Sequence, residues 1–113
     1  MKSKEARREA ARRFKEQKVP IGAYAVRCLT TGKVWVGASR NLGATRNQCM
    51  ISLQFGAHID KSLQAEWNAQ GERAFVYEVL EVAKEDLHPL AVPDVLRELR
   101  RTWVEELGAR ALN

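Results

Sequence analysis

Eight basic residues crowd the first eighteen positions: Lys2, Lys4, Arg7, Arg8, Arg12, Arg13, Lys15 and Lys18, against Glu5, Glu9 and Glu16. The whole formal net charge of +5 sits there, because the rest of the chain balances 11 basic residues with 11 acidic ones. Lysine and arginine at this density neutralise phosphates. Ala6, Ala10 and Phe14 recur every four residues, so the stretch also reads as an amphipathic helix that ends before Pro20. Two uses are open: a basic arm with Arg12 and Arg13 on phosphates, or a solvated helix docked by Ala10 and Phe14. A membrane surface is a poorer fit, since the apolar side carries a single large residue.

Cys28 and Cys49 are the only cysteines, and their spacing matches no zinc or redox motif. Two are too few for a cysteine cluster around a metal. At 113 residues the chain fits one folded core. Its 45% hydrophobic and 29% charged residues exclude global disorder. No apolar run approaches the roughly 20 residues of a bilayer span. The N-terminus is charged and lacks the apolar segment of a secretory signal, so the expected location is the cytoplasm.

The rest of the chain supplies the elements that would position a site. Residues 21–28 read as a strand, the TTGK of 30–33 as a turn, and 34–37 as a second strand, together an antiparallel hairpin. Residues 43–55 read as a helix with Met50 and Leu53 inward, stopped at Gly56. Asp60 is placed to cap a helix over 61–68, with Leu63 and Trp67 one turn apart. Phe75, Tyr77 and Val79 alternate along a third strand at 74–82. Leu96, Leu99, Trp103 and Leu107 form one stripe of a helix over 94–107, closed by Gly108. The expected fold is α+β: a small three-stranded antiparallel or mixed sheet flanked by helices, with an extra basic N-terminal helix. Residues 1–19 form the arm and 20–113 the domain.

Several segments then fall into a pattern. Gly22-Ala23-Tyr24 lies on the first strand and Trp35-Val36-Gly37 on the second. Ser39-Arg40-Asn41-Leu42 and a helix follow. His58 precedes KSLQAEWNAQG and then FVYEVLE, and Glu98 lies five residues before Trp103 in ELRRTWVEEL. In this order the segments resemble the GIY-YIG nuclease family, named for two such tripeptides on adjacent strands, and in particular the nuclease domain of its phage homing endonucleases. The resemblance covers about residues 20–113.

The resemblance implies metal-assisted hydrolysis of phosphodiester bonds, with DNA as partner and Mg²⁺ or Mn²⁺ as cofactor. Glu98 would hold the metal. Tyr24 would position or deprotonate the attacking water, which requires its ordinary pKa of about 10 to be lowered. His58 would bind phosphate or relay a proton. Arg46 would be the catalytic cation; Arg40, Asn41 and Lys33 would contact nucleic acid. Gly22, Trp35 and Gly37 complete the motifs, with Trp35 walling the site. Each residue also has a plain reading: a strand tyrosine packs across the sheet, and a helical glutamate pairs with a neighbour such as Arg101.

The sequence departs from the family pattern in four places, the mildest being Ala23 where a β-branched residue is usual. Trp35 replaces a tyrosine, so the phenolic hydroxyl there is gone. Thr45 stands where the family has its arginine, and Arg46 is one residue, about 100° of helix, further on. Cys49 and Met50 stand where a histidine is expected one turn later. The rival reading is therefore a nuclease fold kept for nucleic-acid binding or regulation without catalysis. A third makes the N-terminal helix a protein-interaction module.

Overall fold

A computed structural model describes residues 20–84 and 86–112. The basic arm, with Arg12 and Arg13, lies outside the described residues. In chain order the elements are β1 (Gly22–Cys28), β2 (Val34–Ser39), α1 (Leu42–Gln54), α2 (Lys61–Gln70), β3 (Phe75–Val82), α3 (Val92–Leu107) and β4 (Arg110–Ala111).

The caps are local and follow the sequence. Asn41 Oδ1 accepts from the Ala44 N–H at 2.9 Å and starts α1. Asp60 Oδ1 accepts from the Leu63 N–H at 3.0 Å and from the Ser62 hydroxyl at 2.7 Å, so it starts α2 as expected. α3 begins at Val92, with Pro93 in its first turn, where the missing N–H costs nothing. No helix among the described residues is long and apolar enough to cross a membrane.

The sheet order is β3-β1-β2-β4. β1 pairs antiparallel with both β2 and β3. The three expected strands are present, and a fourth joins them: β4 runs parallel to β2, with Trp35 opposite Arg110 and Val36 opposite Ala111. At two residues it is too short to carry a periodicity. The backbone N–H of the next residue, Leu112, donates to the Val36 carbonyl at 2.7 Å, and the Leu112 side chain is buried.

Alternation along the strands separates two unlike faces. On one lie Tyr24, Val26, Cys28, Trp35, Phe75 and Tyr77; α1 and α2 cover it with Leu42, Cys49, Leu53, Leu63 and Trp67. On the other, Ala23, Ala25, Val36 and Ala38 are all buried. α3 packs there against β1 and β2. Its buried or half-buried positions are Val92, Val95, Leu96, Leu99, Arg100, Trp103, Val104 and Leu107. Trp103 Nε1 donates to Glu81 Oε1 at 2.8 Å, and Glu81 sits opposite Ala23 on that same face.

Candidate nucleic-acid interface

The tyrosine-bearing face opens beside α1 into a hollow of about 330 Å³, lined by Tyr24, Thr45, Gln48, Cys49, Ser52 and His58 among others. Tyr24 is 4% exposed. Its ring stacks on Tyr77, centroids 5.2 Å apart and 20° from parallel. The motif glycines explain how it fits. A Cβ on Gly37, directly across the hairpin, would lie 2.5 Å from the Tyr24 hydroxyl oxygen. A Cβ on Gly22 would lie 2.0 Å from the Glu81 carbonyl oxygen. Both positions admit a backbone or ring that any side chain would exclude.

His58 is held from three sides. Its Nδ1 accepts the Asp60 N–H at 3.0 Å, so the neutral ring carries its proton on Nε2. Nε2 lies 3.6 Å from Cys49 Sγ. The His58 N–H donates to Gln64 Oε1 at 3.0 Å, and Gln64 Nε2 donates to Leu53 O and Asn68 Oδ1. Burial pushes the His58 pKa below its ordinary 6.5, against the opposing pull of Asp60. At neutral pH the imidazole is therefore an uncharged donor rather than a cation. Burial also pushes the Cys49 thiol up to about 11, so it stays protonated and is no nucleophile. Tyr77 is pushed up to about 12, mainly by burial; its hydroxyl donates to Leu42 O at 3.0 Å.

The structure brings Tyr24 and His58 together, with Gly37 against the tyrosine ring, and places the remaining expected side chains elsewhere. Thr45 faces the hollow and its hydroxyl hydrogen-bonds Ser39 Oγ. Asn41 fixes the α1 register, so Arg46 turns away into a separate hollow with Met50, Trp67 and Tyr77. Trp35 does not wall the site: it is 1% exposed in the core, and its Nε1 donates to Ser62 Oγ at 2.9 Å. Asn41 is a cap. Lys33 lies in the hairpin turn, 3.6 Å from Glu66. Glu98 lies on the outer side of α3, 63% exposed, where Arg101 Nη2 donates to it at 2.7 Å. α3 packs on the face of the sheet opposite the Tyr24 ring, and Glu98 lies on its solvent side.

These placements test the expected metal. A carboxylate is needed beside the phosphate, and the described residues lining the hollow include none. The nearby Asp60 carboxylate is engaged as a helix cap. No group of three His, Cys, Asp or Glu among the described residues is arranged to hold a metal. The donors that the described residues offer do not fit Mg²⁺ or Mn²⁺ in this hollow.

Arg40 lines another hollow, of about 350 Å³, with Ala38, Pro93, Leu96, Arg97 and Arg100. The sequence sets Arg97 and Arg100 three residues apart on one helix, but only the packing of α3 turns them toward Arg40.

No protein-family model matches the chain, and no curated protein sequence matches it. Two solved structures do. The catalytic domain of homing endonuclease I-TevI superposes with a TM-score of 0.68 at 22% identity, covering 82% of this chain and 98% of that one. A mutant of the catalytic domain of intron endonuclease I-TevI gives 0.64 at 22% identity, covering 80% and 86%. The hairpin, the helices behind it and the mixed sheet thus assemble into the fold of a GIY-YIG nuclease catalytic domain.

Proposed function

We propose that this chain binds nucleic acid on a nuclease fold without metal-assisted hydrolysis. The observation that carries the reading is the content of the hollow. Among the described residues it is lined by Tyr24 and His58 but by neither a carboxylate nor a cation. The His58 Nε2–H, beside Cys49 Sγ, and the Thr45 hydroxyl, bonded to Ser39 Oγ, are neutral groups that can exchange these partners for a phosphate oxygen. They bind without supplying charge to a developing transition state, which is where most catalytic stabilisation arises. His58 is also unsuited to act as base, because Nδ1 is occupied by the Asp60 N–H and Nε2 carries the proton.

The resemblance to catalytic domains supports a second reading, in which the chain cleaves DNA. An assay on single- and double-stranded DNA and RNA, with Mg²⁺ or Mn²⁺, separates the two. Binding that weakens with salt, without cleavage, is the expected result. Metal-dependent cleavage that Tyr24→Phe or His58→Gln abolishes would overturn the binding-only reading.

A further inference from the structure

We propose that Arg40, Arg97 and Arg100 form a phosphate-binding site on the face of the sheet opposite Tyr24 and His58, and that it holds a backbone phosphate of the bound polynucleotide. The ligand's identity rests on the function proposed above; the affinity for phosphate does not.

Three arginines from two distant parts of the chain line one hollow. Arg40 comes from the junction of β2 and α1, while Arg97 and Arg100 stand three residues apart on α3, neighbours on the helix surface. Ala38, Pro93 and Leu96 supply the remaining wall, and among the described residues no carboxylate lines it. Ala38 matters because a larger side chain there would fill the space between β2 and α3. Arg97 is paired with Asp94, whose Oδ1 accepts from Nη1 at 2.9 Å. Both partners are largely exposed, 64% and 74%, so water and salt weaken the pair and a phosphate can replace it. A guanidinium carries five N–H donors in a planar fork that matches phosphate oxygens, so partners already in place leave donors for a ligand.

The residues are also unusual for their surroundings. Beyond the arm the chain is neutral, yet three arginines converge here. Arg100 is half-buried on the flank of α3 that faces the sheet. The positive end of the α3 dipole lies at the Pro93 side of the hollow and adds to the attraction for an anion.

The test uses the full chain and a labelled oligonucleotide, comparing Arg40→Ala/Arg100→Ala with Arg73→Ala/Lys84→Ala, which removes the same charge elsewhere. The expected loss for the first pair is roughly tenfold in affinity or more. The slope of log affinity against log salt should flatten by roughly 0.7–0.9 for each phosphate that the variant no longer neutralises. Equal behaviour of the two pairs would overturn the site. Should the parent protein bind no oligonucleotide, the proposed function fails, and titration with inorganic phosphate, followed at the amide resonances of Ala38 and Leu96, decides the site separately. Shifts that vanish in Arg40→Ala/Arg100→Ala support it as a site for free phosphate; their absence overturns it.

Discussion

The two faces of the sheet solve different packing problems. On the face of Tyr24 and Trp35, large rings interlock with α1 and α2, and the buried polar atoms are tied into hydrogen bonds. Trp35 reaches Ser62, Ser62 reaches Asp60, and Asp60 reaches His58. Among the described residues, those lining the hollow beside this network carry no charge at neutral pH. On the face of Ala23, Ala25, Val36 and Ala38 the side chains are small, so α3 closes directly on the strands. Its long residues then reach past the sheet, and the arginines collect at that flank. The neutral hollow and the cluster of Arg40, Arg97 and Arg100 lie on opposite sides of a single sheet, while Arg46 stays on the tyrosine face beside Tyr77.

Substitutions test how unequal the faces are. The largest effect is expected from Trp35→Ala, which leaves a ring-sized void in the core and costs about 3–5 kcal/mol. Leu96→Ala, half-buried beside the arginines, should cost clearly less in the same urea titration. Equal losses would show that the α3 face is packed as tightly as the tyrosine face.

Gly37→Ala comes next, at about 1–3 kcal/mol, because its new Cβ collides with the Tyr24 ring. Near-UV circular dichroism should report the displaced tyrosines. Ala38→Val on the opposite face should instead leave that signal unchanged and weaken phosphate binding.

His58 sharpens the comparison through pH. Burial depresses its pKa in the folded chain, so between that lower value and 6.5 the unfolded chain binds more protons. Stability therefore falls as pH is lowered through 6.5, and His58→Gln should remove this part of the slope, at a cost of about 1 kcal/mol in lost hydrogen bonding. Asp60 acts in a lower window. Hydrogen bonds from Leu63 and Ser62 overcome its burial and hold it below 3.8, so its contribution is present above that pH and is lost as pH falls through the folded value. Chemical denaturation from about pH 7.5 to 3 reads both; a flat profile over the upper half of that range would contradict the His58 assignment.

The smallest effect belongs to Glu98→Ala. The glutamate is exposed and pairs with the exposed Arg101, so thermal stability should move by less than about 0.5 kcal/mol. Oligonucleotide affinity should not fall. A loss of binding or of cleavage in this variant would return Glu98 to the site.

Local features of the sequence determined much of this protein. Alternation placed three strands, Asn41 and Asp60 began two helices, and Gly22, Tyr24 and Gly37 formed the hairpin that carries the resemblance. These depend on residues a few positions apart, so their spacing is enough. The hollow's other partner, His58, was also legible from its segment. Direction was not. Arg46 and Thr45 differ by one residue, and only the start of α1 decides which of them faces Tyr24. Glu98 precedes Trp103 at a plausible distance, yet the sheet takes the other side of α3 and leaves the glutamate in water. β4 has no periodicity of its own and forms because Leu112 finds the core. The grouping of Arg40 with Arg97 and Arg100 joins residues far apart in the chain, which spacing along a chain does not report. Tertiary packing decided these points, because the side of a helix that meets a functional group is set by what the helix is packed against.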